Sequence, residues 1–143
     1  MFDKYYTEAV GAGRTLFQQV KGTLAELHAK GLPMAIVTNK PAPYVAPLLQ
    51  SLGIADFFTL IIGGGDVVVE KPHPAAIFLV LGHFGVLQKE LLFVGDSRND
   101  IHAAQAAGVA NIGMTFGYNY GEPIAASQPD LTLDTFSELL PAL

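Results

Sequence analysis

Two hydrophobic patterns alternate along the chain. Over 15–30, apolar residues recur every three to four positions, which predicts an amphipathic helix that ends before Gly31. The next segment, 34–38, is a short continuous apolar run followed by polar residues. Such a run is typical of a parallel strand covered on both faces. The beginning of the chain therefore predicts a helix that packs beside a buried strand.

The same alternation continues to the end of the sequence. The further predicted elements are a helix over 44–52, a strand over 59–62, a helix opening after 71–74, a strand over 91–94, a helix over 99–107, a strand over 111–115 and a short helix near 136–140. No internal repeat and no linker interrupts them. Strands and helices that alternate with short connections predict an α/β fold with a doubly wound parallel sheet.

Composition narrows the class of protein. With 143 residues and 50% hydrophobic side chains, the chain can form one hydrophobic core. A net charge of −5 with no basic stretch argues against a nucleic-acid partner. The absence of cysteine limits a metal to oxygen or imidazole ligands. Because no apolar run reaches 18 residues and the first residues lack the layout of a signal peptide, we expect a cytoplasmic protein without membrane contact.

Polar residues follow several of the predicted strands. Thr38 and Asn39 follow the first buried run, Asp96 follows the run 91–94, and the connection after 59–62 leads to Lys71. In an open parallel sheet, ligands bind beyond the carboxyl ends of the strands. We therefore expect a hydroxyl, an amide, a carboxylate and an ammonium group at one edge of the sheet.

Asp96 and Asp100 are candidate metal ligands. One ends a strand and the other lies in the first turn of a helix, so both can face one pocket. Mg²⁺ binds to one or two carboxylates and keeps several waters and substrate phosphate oxygens. The alternative is that these acids cap the helix that starts here. Taken alone, the pair favours neither interpretation.

Thr38, Asn39 and Lys71 are candidate phosphate ligands. A hydroxyl and backbone N–H groups before a helix can bind an anion, and a lysine beside carboxylates and phosphate gains from charge pairing. The alternatives are an ordinary turn for the first two residues and a solvated surface side chain for Lys71.

Other polar or aromatic segments are weaker candidates for a functional site. The glycine-rich segment 63–66 lacks the ending of a P-loop, so we interpret it as a flexible connection. The aromatic segment 118–121 could select a substrate or pack over the edge of the sheet. No two histidines stand at metal-ligand spacing on one face, so we expect surface or structural roles for them: His28, His73, His83 and His102.

Four segments together resemble the haloacid dehalogenase superfamily, and within it the bacterial phosphoglycolate phosphatases. They are Val37-Thr-Asn-Lys-Pro41, Glu70-Lys-Pro-His-Pro74, Phe93-Val-Gly-Asp-Ser-Arg-Asn-Asp100 and Tyr118-Asn-Tyr-Gly-Glu122. They stand in the family's order and cover nearly the whole chain.

The resemblance implies Mg²⁺-dependent hydrolysis of a small phosphate ester, 2-phosphoglycolate, to glycolate and phosphate. An aspartate would attack the phosphoryl group, and a second aspartate two residues later would act as acid and base. Thr38 and Lys71 would be catalytic and, with Asn39, would bind the phosphate. Asp96 and Asp100 would bind or orient the metal. These assignments agree with the electrostatic demands of phosphoryl transfer.

The sequence departs from the family in one motif, because it contains no Asp-x-Asp pair. We therefore expect a chain without its nucleophile, inactive alone, with 1–14 as a remnant of a helical cap and 15–143 as the core. The sheet would lack its central strand, between those that end at Thr38 and Asp96. Direct pairing of these two strands, a second copy of the chain or a separate N-terminal piece could close the gap.

Two other classes of protein fit part of the pattern. A non-catalytic binding or oligomerising module derived from such a phosphatase would use the exposed strand edges, for example in a homodimer. A receiver-like domain also carries acids and a lysine at strand ends. Its acceptor aspartate would end a central strand, which we expect to be missing, so this class is disfavoured.

Overall fold

The computed structural model describes residues 2–4, 14–115 and 121–142, which form strands and helices in alternation. The strands are β1 Phe2–Lys4, β2 Met34–Pro41, β3 Leu60–Gly64, β4 Leu92–Gly95, β5 Ala110–Met114 and β6 Leu131–Leu133. The helices are α1 Arg14–Ala29, α2 Ala42–Ser51, α3 Ala75–Phe84, α4 Arg98–Ala107 and α5 Leu139–Ala142. The strands form one six-stranded sheet in the order β3-β2-β1-β4-β5-β6. All of its pairs are parallel.

The sheet is covered on both faces, as the continuous apolar runs predicted. Successive residues of β2 belong to different hydrophobic clusters: Met34 and Ile36 pack with α1 and α2, and Ala35 and Val37 pack with α3 and α4. This division follows from the two-residue period of a strand. The α/β fold with a doubly wound parallel sheet is therefore confirmed.

The predicted helix over 15–30 corresponds to α1. Its residues Val20, Leu24 and Leu27 are completely buried. They recur at the spacing that places side chains on one side of a helix. The helix ends before Gly31, whose φ of +79° is a left-handed conformation that glycine adopts without strain.

The prediction that the sheet lacks its central strand is wrong. Phe2–Lys4 lies between β2 and β4 and pairs in parallel with both, with Phe2 opposite Met34 on one side and Leu92 on the other. The chain's own backbone therefore satisfies the inner edges of β2 and β4, which would otherwise present unpaired peptide groups. None of the three expected ways of closing the gap is used.

The central position of β1 affects two further predictions. Of the range 1–14 that is expected to be a remnant of a helical cap, residues 2–4 form a strand of the sheet, and 1 and 5–13 lie outside the described residues. The predicted homodimer relied on exposed edges of β2 and β4. Because β1 covers these edges, that reason for a dimer no longer applies.

The glycine-rich connection is more regular than expected. Gly63 and Gly64 belong to β3. A Cβ on Gly63 would overlap the backbone of Ala42, and one on Gly64 would overlap the carbonyl oxygen of Asn39. Glycine is thus needed here for the close approach of two backbones.

Within the described part of the chain, no helix is both long and apolar enough to cross a bilayer.

Candidate functional site

Four of the predicted site residues are buried at the carboxyl ends of β2 and β4. Thr38 lies in the part of β2 beyond its apolar run, and Asp96 follows β4 directly. Lys71 comes from the connection between β3 and α3, and Asp100 lies in the first turn of α4. Each of the four residues is 6% exposed or less. Burial of so many polar side chains requires partners within the fold.

Lys71 places its ammonium group between β2 and α4. Its Nζ atom forms an ion pair with Asp100 Oδ1 and donates a hydrogen bond to the carbonyl oxygen of Val37 at 3.2 Å. The ring of Phe93 lies beneath it, with 5.8 Å between Nζ and the ring centroid. The alternative interpretation of Lys71 as a solvated surface side chain is therefore wrong.

Asp100 has a second role at the start of α4. Its Oδ2 atom accepts hydrogen bonds from the backbone N–H groups of Asp96 (3.1 Å) and Ser97 (3.2 Å) and from the Ser97 hydroxyl (3.3 Å). These bonds satisfy donors at a helix N-terminus. The helix-capping interpretation thus holds for Asp100 together with the ion pair. One carboxylate joins α4 to Lys71.

Gly95 makes room for this carboxylate. A Cβ at position 95 would overlap the carboxyl group of Asp100. Gly95 was not among the residues predicted to form the site. Its signal in the sequence is its place between a buried strand and Asp96, where a backbone must come close to a polar group.

Asn39 contacts Lys71 through its side-chain amide. Its Nδ2 donates to the Lys71 carbonyl oxygen at 3.1 Å, and its Oδ1 accepts from the Lys71 N–H at 3.2 Å. The neighbouring Thr38 Oγ1 accepts a hydrogen bond from the N–H of Lys40 at 3.0 Å. This bond fixes the place of the hydroxyl oxygen and leaves its own hydrogen for donation to a ligand.

Asp96 borders a cavity of about 230 Å³ on the β5 and β6 side of the site. The cavity is lined by Asp96, Met114, Thr115, Glu122, Pro123, Ile124, Ala125 and Thr132. Thr38, Lys71 and Asp100 do not line it. The structure thus places Asp96 beside the other three residues along the sheet edge but gives it a different neighbourhood.

Glu122 is a cavity residue that the sequence analysis did not assign to the site. Its Oε1 lies 3.5 Å from Arg98 Nη1. Both side chains are about two-fifths exposed, at 40% and 43%. The pair links the start of α4 to the segment after β5. Residues 118–120 of the predicted aromatic segment lie outside the described residues.

The donor set fits a magnesium ion better than a metal held only by protein side chains. Among the described residues, no three Asp, Glu or His side chains are grouped around one point. Mg²⁺ needs only one or two carboxylates, because waters and substrate oxygens complete its coordination. A buried carboxylate that borders a cavity, as Asp96 does, meets this requirement. The four histidines, for which surface or structural roles were open, are all exposed: His28, His73, His83 and His102.

Comparison with known proteins gives consistent matches. A family model described as haloacid dehalogenase-like hydrolase matches residues 1–114. A phosphoglycolate phosphatase of Pectobacterium atrosepticum is 64% identical over 99% of this chain and 61% of that protein. A second, from Yersinia pseudotuberculosis, is 63% identical over 100% of this chain and 62% of that protein. The chain thus spans about three-fifths of the length of these relatives.

A solved structure shows the same arrangement of strands and helices. It is a crystal structure of a predicted phosphoglycolate phosphatase from Haemophilus somnus, which matches with a TM-score of 0.85 and 48% sequence identity. The match covers 87% of this chain and 55% of that one.

Proposed function

Because the chain belongs to the haloacid dehalogenase-like hydrolase family, we propose that it supplies the phosphate- and metal-binding groups of a Mg²⁺-dependent phosphatase that hydrolyses 2-phosphoglycolate. The substrate is proposed from the relatives named phosphoglycolate phosphatase. The observation that carries the proposal is the buried ion pair of Lys71 and Asp100 at the carboxyl end of β2.

The proposed work of the protein side chains is to hold and neutralise the phosphoryl group. Thr38 would donate its hydroxyl hydrogen to a phosphoryl oxygen, and Lys71 would contribute positive charge from a fixed place. Groups that are already oriented stabilise developing charge without reorganising during the reaction. In phosphoryl transfer such positioning supplies most of the catalysis.

Asp96 is the proposed metal ligand, with Asp100 orienting the site around it. A bound Mg²⁺ would supply neutralisation of charge on the phosphoryl oxygens. Asp100 would act through its hydrogen bonds, because its Oδ2 accepts one from the backbone N–H group of Asp96. Asp100 thereby fixes the backbone from which the Asp96 side chain extends.

We further propose that this chain alone turns over its substrate to a negligible extent. Its sequence contains no Asp-x-Asp pair, so the attacking aspartate and the acid–base aspartate of the family have no counterpart. Loss of a covalent nucleophile lowers the rate by several orders of magnitude, and the remaining electrostatic groups rescue little of it.

The test measures turnover and ligand binding separately. With 2-phosphoglycolate and Mg²⁺, phosphate release should stay at the level of a blank. Calorimetry should nevertheless detect Mg²⁺ binding, which Asp96→Asn abolishes and His102→Asn leaves intact, since His102 is exposed. Mg²⁺-dependent hydrolysis that Asp96→Ala abolishes would overturn the proposed inactivity. Absence of both activity and Mg²⁺ binding would overturn the proposed site.

The alternative, a non-catalytic binding or oligomerising module, relies on exposed edges of β2 and β4, and β1 covers these edges. Light scattering at increasing protein concentration tests it directly. A dimer that forms as the protein concentration rises, and that binds neither Mg²⁺ nor phosphate, would favour the module over the phosphatase.

A further inference from the structure

The backbone of Lys71 lies in a stretch without helix or strand. This stretch follows β3 and precedes α3, so no sheet ladder fixes its place. The side chain of Asn39 fixes this backbone instead, because it donates a hydrogen bond to the Lys71 C=O group and accepts one from the Lys71 N–H group. The paired bonds resemble those that a neighbouring strand would make.

Both ends of Lys71 are therefore attached to β2. Asn39 holds its backbone, and the carbonyl oxygen of Val37 holds its ammonium group at 3.2 Å. Thr38 stands between these two anchors in the sequence. The contacts with Asn39 and Val37 thus fix Lys71 relative to the Thr38 hydroxyl from within β2, and the ion pair with Asp100 adds a contact from α4.

From this double attachment we propose that Asn39 is a positioning residue, which acts on the phosphate through Lys71. The proposal rests on the phosphatase function proposed above, for which Lys71 must have a fixed place. It concerns the side chain of Asn39, whereas the sequence prediction of phosphate binding rests on backbone N–H groups. A direct ligand would direct its amide to the anion, whereas both polar atoms of this amide bind the Lys71 backbone.

The structure offers a matched control in Asn111. This residue is 3% exposed, its Oδ1 accepts from the Asp130 N–H at 3.1 Å, and its Nδ2 donates to the Val109 carbonyl oxygen at 3.2 Å. It therefore fixes a connecting segment as Asn39 does, but at β5, and it makes no contact with Lys71. Asn39→Ala and Asn111→Ala each remove two hydrogen bonds between an amide side chain and the backbone, but in different segments.

The experiment measures how fast the Lys71 ammonium hydrogens exchange with water. In protein labelled with ¹⁵N-lysine, we expect Asn39→Ala to raise this rate about tenfold or more, because the loss of two hydrogen bonds releases the Lys71 backbone. Asn39→Asp keeps the acceptor for the Lys71 N–H and should give an intermediate rate. Asn111→Ala should leave the rate unchanged, even if it destabilises the fold equally.

Two results would overturn the proposal. One is an unchanged rate in Asn39→Ala, and the other is an equal acceleration in Asn111→Ala, which would indicate only a general loss of structure. The exchange rate is measured without any ligand, so its outcome does not depend on the proposed function.

A second measurement uses inorganic phosphate as the probe. Asn39→Ala should weaken phosphate binding about tenfold in the wild-type background and not at all in Lys71→Met, since a positioning residue has nothing left to position. An equal loss in both backgrounds would identify a direct phosphate contact and overturn the proposal. If the wild-type chain binds no phosphate, the proposed function fails, and the exchange rates alone decide the role of Asn39.

Discussion

Asp96 and Asp100 are four residues apart and equally buried, yet their surroundings differ. Asp100 is enclosed: one oxygen pairs with Lys71, and the other accepts three hydrogen bonds at the start of α4. Asp96 borders a cavity of about 230 Å³. Burial and residue type therefore do not reveal the role of a carboxylate. Its partners and the space beside it do.

Protein groups already occupy the hydrogen-bonding positions around Asp100, whereas the cavity beside Asp96 has space for a ligand. A buried ion pair gains little net stability by forming, but removal of one partner leaves an uncompensated charge. The region around Asp100 should therefore dominate stability, and the region around Asp96 should dominate ligand binding.

The largest effect is expected from Lys71→Met. It leaves the Asp100 carboxylate buried without its cation, so the free energy of unfolding should fall by about 3–5 kcal/mol. Urea denaturation measures this change. The control Lys89→Met alters an exposed lysine and should stay within about 0.5 kcal/mol of the wild type. Equal losses in both variants would contradict the assignment of Lys71 to a buried ion pair.

Gly95→Ala should have the next largest effect. The new Cβ would overlap the Asp100 carboxyl group, and such overpacking costs about 1–3 kcal/mol. Gly82→Ala is the matched control because a Cβ there meets nothing within 4 Å. Replacement of this helical glycine should raise the free energy of unfolding by about 0.5–1 kcal/mol. Thermal denaturation of both variants tests the comparison, and a Gly95→Ala protein as stable as Gly82→Ala would refute it.

Asp96→Asn should remove the stabilisation that Mg²⁺ provides. A ligand at ten times its Kd raises the free energy of unfolding by about 1.4 kcal/mol. The wild-type Tm should therefore rise on addition of Mg²⁺, and the Tm of the variant should not. The same scans with NaCl at matched ionic strength control for general salt effects. An unchanged response to Mg²⁺ in Asp96→Asn would place the metal elsewhere.

The smallest effect is expected from Arg98→Ala. The pair of Arg98 and Glu122 is about two-fifths exposed, and exposed ion pairs contribute about 0–1 kcal/mol. Urea denaturation at low and high salt checks this, since salt screens what little the pair contributes. A loss above about 2 kcal/mol would mean that the rim of the cavity holds the fold together.

Hydrophobic periodicity was sufficient to predict most of the fold. The apolar stripe of α1 and the continuous runs of β2 and β4 correspond to buried surfaces, which is why they were visible in the sequence. β1 and β6 are only three residues long. Segments of this length are too short to have a period, and their strand conformation comes from pairing with residues distant in the sequence.

The candidate site was predictable as a set of residues but not as a set of contacts. Residues that follow parallel strands lie at one edge of the sheet, and Lys71 and Asp100 are neighbours there, a pairing that the sequence did not predict. The hydrogen bonds of the Asn39 side chain to the Lys71 backbone were not predictable, because they join two residues that are distant in the sequence. The role of Gly95 depends likewise on the place of Asp100.

We propose above all that this edge of the sheet binds a divalent cation and a phosphoryl group as one site. The most direct measurement is a calorimetric titration of the chain with inorganic phosphate, first without Mg²⁺ and then with saturating Mg²⁺. If the two ligands share the site, Mg²⁺ should tighten phosphate binding, and phosphate should tighten Mg²⁺ binding by the same factor, about 5-fold or more. Phosphate binding that is absent or insensitive to Mg²⁺ would contradict the claim.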